Sequence, residues 1–365
     1  MTENKLYGTK FYIDLSILES NLNFFKKKIG VSNFIAIVKA NAYGFGDVSI
    51  AKKLQELGVE NFGVADFDEG INLKNNGING SIIVMNPGIN NIEVILSNHL
   101  EPVVYNKEIL LKILDSRFNG IRKKNIHIKI NSGMNRWGFD LNEIDFVINE
   151  IKNKKYINIK SIYSHLSSPD NLRDEQFTQK QHELFKKVKA KFKKSFSTQI
   201  KYHILSSSSV KNNPQLIDTS QIRIGILMYG SQMNNSIRPV GELKCSLSHI
   251  RKVKKGESIG YKRAFIAPRD MKVGVIPMGY ADGLQRSWGN GLLKFIFEGQ
   301  HLPTLGVISM DSCVVDLSEV KNISIGDEVT YFGQERSLWD LADELDTIPY
   351  EITTILSKRI KRVYF

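Results

Sequence analysis

Lys39 is the residue whose surroundings best suit covalent chemistry. It follows the apolar run FIAIV and precedes ANAYGFG, a loop whose glycines let the backbone approach a ligand closely. A lysine held against apolar groups or near another cation has a lowered pKa, and its neutral amine can form a Schiff base. The alternative, a lysine that reaches from a strand end into solvent, is the commoner arrangement.

Two later segments are suited to binding an anion. The run Ser206-Ser207-Ser208-Ser209 supplies hydroxyl groups, and Gly225 with Ile226 supplies backbone N–H groups. Such groups can cradle a phosphate, although loops favour serine in any case. A Schiff-base lysine and a phosphate pocket in one domain suggest pyridoxal phosphate as the cofactor, or else a sugar-phosphate aldolase.

Several other polar residues have more than one interpretation. Arg136, in the stretch NSGMNRWGF, can clamp a carboxylate with two hydrogen bonds or lie exposed without a role. His165 suits a core position, ring stacking or acid–base chemistry, and with no cysteine and few acids nearby we expect no metal. Tyr261, Tyr280 and Asp282 carry no signal by themselves, because tyrosines in β-rich segments usually pack.

These candidates stand near the ends of apolar runs that predict β-strands. The runs are FIAIVK (34–39), FGVAD (62–66), IIVMN (82–86), EPVVY (101–105), IHIKIN (126–131), SIYSHL (161–166), YHILSS (202–207) and IRIGIL (222–227). Amphipathic stretches with helical spacing separate them. The alternation predicts an α/β fold, a (β/α)₈ barrel, in which the active site lies at the carboxyl ends of the strands. An open doubly wound sheet is the alternative.

The character of the sequence changes near residue 236. β-rich segments with glycine-containing turns follow, and helical character returns only at SLWDLADELDTIPYEITTILSKRI, where Ser337 and Asp340 predict an N-cap. We therefore expect a barrel domain over residues 11–235 and a mostly β C-terminal domain over residues 236–365. Residues 1–10 can add a strand to the second domain.

Composition excludes several other classes of protein. The 365 residues are 42% hydrophobic and 24% charged, which is typical of globular chains and not of disordered ones. Cys245 and Cys313 alone provide neither a disulfide framework nor a zinc cluster. No signal-peptide core or long apolar run is present, so we expect a cytoplasmic protein. The net charge of +12 is spread along the chain without a stacking motif, so we expect neither nucleic acid nor membrane as a partner.

Taken together, these residues resemble the alanine racemase family, the barrel-type (fold type III) pyridoxal-phosphate enzymes. The resemblance covers essentially the whole chain, and its motifs occur in the family order. They are AIVKANAYGFG around Lys39, KINSGMNRWGF around Arg136, SIYSHLSS around His165, HILSSSSV at 203–210, IRIGILMYG around Arg223, IGYKRAF around Tyr261, MGYADG around Tyr280 and GVISMD ending at Asp311. Each motif alone is modest support, whereas the ordered set is specific.

The resemblance implies a role for each matched residue. Lys39 would hold the cofactor as a Schiff base and act as one catalytic base, and Tyr261 from the second subunit of a homodimer would be the other. Arg136, with the backbone of Met310 from the partner chain, would hold the substrate carboxylate. Arg223 would face the pyridine nitrogen, with His165 supporting it. Lys129 is at a position carbamylated in many members, where the new carboxylate orients Arg136. The residues around the cofactor phosphate would be Tyr43, Ser207, Gly225 and Ile226, and those at the entrance and around the site Tyr280 and Asp311.

The implied activity is interconversion of L- and D-alanine, which would supply D-alanine for cell-wall peptidoglycan. Racemisation removes a proton from one face of Cα and returns it to the other, so two bases must flank the substrate. A permanently charged Arg223 would disfavour protonation of the ring nitrogen and so suppress transamination. Two alternatives stay open, a racemase of broader amino-acid range and a non-catalytic pyridoxal-phosphate carrier.

The sequence departs from the usual family pattern at several positions. Phe45 replaces the usual histidine of the lysine loop, Asn131 stands where aspartate is frequent, and Lys358 stands where many members have a tyrosine near the phosphate. The serine run replaces an Asn-Ser-Ala-Gly-like run. No departure removes either expected base or either expected arginine. We therefore expect catalysis to be retained, while substrate breadth stays open.

Overall fold

The computed structural model describes residues 8–29, 34–116, 123–197, 199–207, 209, 221–230 and 237–365. Contacts divide these residues into two compact units. The barrel unit comprises the described residues of Leu22–Ala42 and Asp47–Leu227, and the β unit those of Met1–Asn21, Tyr43–Gly46 and Met228–Phe365. The domain boundaries expected from the sequence stay a prediction.

The barrel unit is built on a parallel sheet of eight strands. After β1 (Thr9–Ile13), which belongs to the β unit, its strands are β2 (Phe34–Ile37), β3 (Asn61–Val64), β4 (Ser81–Val84), β5 (Glu101–Val104), β6 (Lys124–Lys129), β7 (Ile157–Tyr163), β8 (Lys201–His203) and β9 (Ile222–Ile224). The strands lie in the order β8-β7-β6-β5-β4-β3-β2-β9. The Arg223 N–H donates to the Leu205 carbonyl at 3.2 Å, which joins the segment after β8 to β9. The predicted (β/α)₈ barrel, nearly closed, is confirmed.

Helices alternate with these strands as the amphipathic stretches predict. They are α1 (Leu15–Ile29), α2 (Asp47–Glu56), α3 (Phe67–Asn75), α4 (Ile92–Ser97), α5 (Lys107–Asp115), α6 (Ile144–Ile151) and α7 (Glu175–Ser195). In α7, Phe185, Val188 and Phe192 are buried at spacings of three and four residues, while Lys186 and Lys193 are exposed. The basic run on α7 is therefore a solvated helix face. Within the described ranges, no helix is both long and apolar enough to cross a bilayer.

One strand is longer than its apolar run. The sequence predicts β7 from Ser161, whereas the strand begins at Ile157. Asn158 and Lys160 interrupt the apolar pattern, but pairing of Ile157 with Lys124 of β6 extends the ladder to this point. Tertiary pairing thus decides the start of the strand, as is common for strand boundaries.

The β unit contains a nine-stranded sheet, as the mostly β character of the sequence predicts. Its further strands are β10 (Gly241–Ser246), β11 (His249–Val253), β12 (Ser258–Ile259), β13 (Phe265–Ile266), β14 (Met271–Ile276), β15 (Lys294–Phe297), β16 (Gln300–Leu305), β17 (Cys313–Asp316), β18 (Glu328–Phe332) and β19 (Lys361–Tyr364). The order is β11-β14-β17-β16-β15-β18-β10-β1-β19, and β12 pairs separately with β13.

The described start of the chain lies inside this sheet. β1 runs antiparallel to β10 and parallel to β19, with Phe11 opposite Leu243 and Arg362. Phe11 is fully buried, so β1 contributes to the core of the β unit. Residues 1–7 of the expected N-terminal strand lie outside the described residues.

The last helical stretch of the sequence forms two short helices. They are α8 (Leu338–Glu344) and α9 (Pro349–Thr354). Ser337 and Asp340 form a reciprocal capping box at the start of α8, as predicted. Between the helices Asp346 has a φ of 52°, and Pro349 occupies the first turn of α9. A left-handed residue and a proline are both incompatible with a continuous helix.

Candidate active site

Lys39 lies just beyond the carboxyl end of β2, and a left-handed turn follows it directly. All four residues of β2 are buried. Ala40, Asn41 and Ala42 have φ values of 53°, 54° and 50°. This conformation costs roughly 1–2 kcal/mol per non-glycine residue. Strained backbone of this kind persists where the surroundings enforce it, and it concentrates at functional sites.

Glu69 of α3 holds this turn in place. Its Oε1 accepts a hydrogen bond from the Ala40 N–H at 2.7 Å, and its Oε2 accepts one from the Ala65 N–H at 2.7 Å. Asn41 Oδ1 accepts from the Asp47 N–H at 3.1 Å. The position of Lys39 is therefore fixed by a neighbouring helix as well as by its own strand. Nothing in the sequence distinguishes Glu69 from ordinary acids in the first turn of a helix, so sequence analysis missed it.

The lysine belongs to a cluster of cations in the barrel unit. Lys39 is exposed at the strand end, yet partial loss of water lowers the pKa of its amine, and the positive charges of Arg136 and Arg223 lower it further. Burial also lowers the pKa of Lys129 to about 7, with further contributions from Arg223 and Arg136. Because unpaired cations that lose their water cost several kcal/mol, the cluster favours neutral amines and an anionic ligand.

Arg223 is the most completely enclosed member of this cluster. Its Nη1 lies 2.5 Å from His203 Nδ1, and its Nη2 lies 3.0 Å from His165 Nδ1. Nη2 also donates to the carbonyls of Ser164 and Ile204 at 2.8 and 3.2 Å. Burial lowers the pKa of Arg223 to about 10, so it stays charged at neutral pH. These hydrogen bonds within the described residues all use Nη1 and Nη2, so the Nε–H is the group of this guanidinium that a ligand can engage.

An aromatic platform lies beside this arginine. The Arg223 guanidinium stands 4.9 Å from the centre of the Tyr163 ring, and that ring stacks on His203 at 4.8 Å. Within the described part of the chain the buried Tyr163 hydroxyl has no partner, and burial raises its pKa to about 12. Tyr163 and His203 both lie in predicted strands, but sequence analysis gave neither of them a role.

The expected phosphate-binding groups meet in the structure. The Gly225 N–H donates to Ser207 Oγ at 2.8 Å, and Ser207 and Ile226 are buried. Ser209 Oγ accepts from the Ser206 N–H at 2.6 Å, whereas Ser208 lies outside the described residues. A buried hydroxyl next to backbone N–H groups suits an anion. Together with an amine of lowered pKa and a free guanidinium N–H, these groups fit an aldehyde that carries a ring nitrogen and a phosphate.

Arg136 and Lys129 share a tryptophan neighbour. The Arg136 guanidinium and the Lys129 amine each lie 5.3 Å from a ring centre of Trp137, and Trp137 stacks on Tyr105 at 5.7 Å. Arg136 is exposed, so its guanidinium is accessible to a carboxylate. Trp137 directly follows Arg136 in the sequence, yet nothing there indicated that it would contact both cations.

The structure explains why Asn131 can replace the family's aspartate. Its amide donates to Asp140 Oδ1 at 2.8 Å and to Asn135 Oδ1 at 3.0 Å. Its own oxygen accepts from the N–H groups of Gly133 and Asn135 at 3.1 and 3.0 Å. An ionised aspartate has no hydrogen to donate and would face Asp140 with like charge. The asparagine therefore fits this loop.

Two other departures lie in the β unit. Phe45 is fully buried, and it stacks on Tyr229 at 4.6 Å and lies 4.9 Å from Phe11. The replacement of a histidine by phenylalanine thus adds to an aromatic core. Lys358 is exposed. Tyr43 is buried beside Tyr229 and Tyr350, and burial raises its pKa above the usual range. The expected contact between Tyr43 and a phosphate stays a prediction.

Three of the expected site residues project from the β unit. Tyr261, Tyr280 and Met310 are 67%, 42% and 53% exposed, which is unusual for large apolar or aromatic side chains. The Tyr280 N–H donates to the Ser309 carbonyl at 3.0 Å, which ties the Tyr280 turn to the segment before Met310. These side chains are therefore available to a second chain.

Asp311 belongs to an ion-pair group that sequence analysis missed. Arg359 donates to Asp311 at 2.8 Å and to both carboxylate oxygens of Asp282 at 2.6 and 3.0 Å. Asp282 Oδ2 also accepts from the Gly279 N–H at 2.8 Å. The group fixes the turn that precedes Asp282 and contains Tyr280. Arg359 is far from both acids in the sequence, so no local signal could have linked them.

Comparison with known protein families gives matches to both parts of the chain. Residues 13–233 match the family described as alanine racemase, N-terminal domain, and residues 240–364 match alanine racemase, C-terminal domain. Among curated relatives, an alanine racemase of Clostridium tetani is 35% identical over 367 residues, which cover 96% of this chain and 94% of the relative.

Solved structures give the same result. The alanine racemase of Clostridium difficile 630 is 30% identical with a TM-score of 0.89, and the match covers 98% of this chain and 95% of that one. The alanine racemase of Bartonella henselae, solved with covalently bound pyridoxal phosphate, is 27% identical with a TM-score of 0.87. That match covers 99% of this chain and 100% of the other.

The lowered pKa of Lys129 makes a testable prediction about its reactivity. Cyanate modifies neutral amines, and a group with a pKa of about 7 is largely neutral at pH 7.5, whereas a free lysine with a pKa of ~10.4 is almost wholly charged. We expect Lys129 to be carbamoylated faster than the exposed Lys187, at a rate that rises with a midpoint near pH 7. Peptide mass spectrometry measures both sites in one sample. Equal rates, or a midpoint near pH 10, would contradict the prediction.

Proposed function

This chain belongs to the alanine racemase family, and we propose that it interconverts L- and D-alanine with pyridoxal phosphate and two catalytic bases. Matches over residues 13–233 and 240–364 support alanine racemisation, an isomerase activity. The observation that carries the finer proposal is the position of Lys39 in a cluster of cations that lowers the pKa of its amine. We also propose that the D-alanine serves cell-wall peptidoglycan.

Residues of the barrel unit would hold the cofactor. Lys39 would bind its aldehyde, the Arg223 Nε–H would face the ring nitrogen, and His165 would support that arginine through their 3.0 Å contact. Ser207, Gly225 and Ile226 would receive the phosphate. When bound, pyridoxal phosphate acidifies the α-hydrogen of an amino acid by withdrawing electrons from Cα.

Arg136 would orient the substrate by its carboxylate. A guanidinium can bind a carboxylate through two parallel hydrogen bonds, which fixes direction as well as position. The backbone of the partner subunit's Met310 would complete this contact. Lys129 would support Arg136, and its pKa of about 7 leaves the neutral amine that carbamylation of a lysine requires. Tyr280 and Asp311 would shape the entrance.

Two residues would move the proton at Cα. The Lys39 amine would accept or return it on one face, and the phenol oxygen of the partner subunit's Tyr261 would do so on the other. The 67% exposure of Tyr261 supports its availability to a second chain. A C₂ homodimer would then have two equivalent composite sites.

Arg223 would determine the outcome after the proton leaves. A charged guanidinium donates to the ring nitrogen and disfavours its protonation by like-charge repulsion. The weaker withdrawal of electrons would limit transamination. The depth of this arginine, which is 4% exposed, supports the role because few water molecules can screen its charge.

The first test identifies the residue that captures the cofactor. We expect borohydride reduction of the pyridoxal-phosphate-loaded protein to fix a pyridoxyl group on Lys39, because its amine has a lowered pKa and lies just beyond the carboxyl end of β2. Peptide mapping by mass spectrometry locates the group. Lys39→Arg is the matched control, since it keeps a long basic side chain and loses the nucleophilic amine, and its map should lack the group. A pyridoxyl group on another lysine of the wild-type protein would overturn the assignment.

The second test asks whether two chains share each site. Lys39→Ala and Tyr261→Phe should each lower racemisation by at least about a hundredfold, since each removes one proton-transfer group. When the two variants are mixed and allowed to exchange subunits, half of the dimers are mixed, and each mixed dimer has one site with both bases intact. We expect recovery of about a quarter of wild-type activity.

The control for this mixture uses two residues of the same unit. Lys39→Ala mixed with Arg136→Ala should recover no activity, because neither kind of barrel then has both residues. Recovery in this control, or no recovery with Tyr261→Phe under confirmed subunit exchange, would refute the shared site. Chirally resolved alanine measures activity in both directions.

A further inference from the structure

A chain of hydrogen bonds crosses the inside of the barrel unit and ends on Arg223. Glu101 Oε2 lies 2.8 Å from His127 Nε2, and His127 Nδ1 lies 2.6 Å from Ser161 Oγ. Ser161 Oγ lies 3.0 Å from His203 Nε2, and His203 Nδ1 lies 2.5 Å from Arg223 Nη1. We call Glu101, His127, Ser161 and His203 the relay. None of the steps proposed above uses its outer members.

The relay connects opposite ends of the barrel. Glu101 is the first residue of β5, whereas His203 is the last residue of β8. Glu101, His127, Ser161 and His203 are 5%, 3%, 0% and 1% exposed. Water therefore has little access to these groups, and each donor and acceptor must find its hydrogen-bond partner within the protein.

The direction of every hydrogen bond follows from the arginine. A guanidinium only donates, so His203 Nδ1 must accept and its hydrogen must sit on Nε2. That hydrogen goes to Ser161, whose own hydrogen then goes to His127 Nδ1. His127 in turn carries its hydrogen on Nε2 and donates to the Glu101 carboxylate. All donors point from Arg223 towards Glu101.

Charges at the two ends agree with this direction. Burial and the nearby Arg223 hold the pKa of His203 well below its usual range, so the ring is neutral and has a single hydrogen. Burial raises the pKa of Glu101, but its interactions with His127, Lys160 and Asn125 together outweigh burial and the net shift is downwards. The relay therefore links a buried cation to a buried carboxylate through a continuous series of hydrogen bonds.

The other oxygen of Glu101 is already committed. Its Oε1 accepts from Ser81 Oγ at 3.1 Å and from Asn125 Nδ2 at 2.8 Å. The Asn125 oxygen accepts from Asn158 at 2.7 Å, which fixes the orientation of the Asn125 amide. In Glu101→Gln the amide oxygen should keep these donors, and the NH₂ group should face His127. The relay would then reverse and place a hydrogen on His203 Nδ1, opposite a guanidinium that can only donate.

We propose that Glu101 is a positioning residue for Arg223. By setting the tautomers of His127 and His203, its carboxylate holds the guanidinium with Nη1 anchored and Nε free for the cofactor ring nitrogen. The inference rests on the proposed function, because it assigns Glu101 control over the balance between racemisation and transamination. Transamination leaves the amino group of alanine on the cofactor and releases pyruvate, so pyruvate formed per racemisation measures that balance.

The first readout needs neither cofactor nor turnover. The chain has seven histidines, so ¹⁵N-histidine labelling of the cofactor-free protein gives a spectrum that single histidine replacements can assign. We expect hydrogens on Nε2 of both His127 and His203 in the wild-type protein, and on Nδ1 of His203 in a substantial fraction of Glu101→Gln. A wild-type His203 with its hydrogen on Nδ1, or an unchanged tautomer in Glu101→Gln, would overturn the proposal.

The second readout is a double-mutant cycle on the loaded enzyme. Glu101→Gln should raise pyruvate formed per racemisation by about tenfold, the size of effect that loss of a residue holding a metal ligand in place has on metal sites. Ser161→Ala cuts the relay in the middle, so in that background Glu101→Gln should change the ratio by less than about twofold. A structural defect at Glu101 alone would have the same effect in both backgrounds, and that result would overturn the proposal.

Controls separate this proposal from folding and from the proposed function. Ser132→Ala removes another buried serine of the barrel unit, which bonds to Ser164 Oγ at 2.7 Å and lies outside the relay, and it should leave the ratio unchanged. If Glu101→Gln does not fold, Ser161→Ala alone tests the relay. It should then form at least about three times as much pyruvate per racemisation as Ser132→Ala, and no rise refutes the proposal. If the wild-type protein does not racemise alanine, the proposed function is refuted. The His127 and His203 tautomers of the cofactor-free protein then still test whether Glu101 sets the direction of the relay.

Discussion

Positive charge concentrated at the strand ends, with two of its four cations buried, is the constraint that shapes this barrel. Lys129 and Arg223 are buried, and the exposed Lys39 and Arg136 add further charges. Such a cluster is unfavourable unless its amines give up protons or an anion joins it. Both responses are useful for the proposed chemistry. An amine that loses its proton becomes nucleophilic, and a site that needs an anion binds a phosphate and a carboxylate.

The surrounding structure keeps that cluster from relaxing. The turn after Lys39 is held in a left-handed conformation by Glu69, and the Arg223 guanidinium is held on one side by His203 and on the other by His165. A flexible lysine or arginine would move its charge towards water. Because these contacts come from rigid strands and a neighbouring helix, the charges stay at the strand ends and the strain is local.

The sequence predicts the barrel well because each strand is a short apolar run with polar residues at its carboxyl end. This pattern alone predicts that Lys39, His165 and Arg223 lie at or near strand ends, and the fold agrees. It does not indicate Glu69 or Glu101, whose roles depend on partners distant in sequence. In the relay, Ser161 and His203 are 42 positions apart, and only the pairing of β7 with β8 brings them together. Buried polar contacts of this kind leave no periodic signal in a sequence.

The central claim is that partial loss of water and neighbouring cations lower the pKa of the Lys39 amine. The pH dependence of the rate at which cofactor-free protein captures pyridoxal phosphate tests it most directly, with absorbance as the signal. We predict a midpoint below the ~10.4 of a free lysine in the wild-type protein, and a higher midpoint in Arg136→Met, which removes one depressing charge. A midpoint near that of free lysine in both proteins would contradict the account.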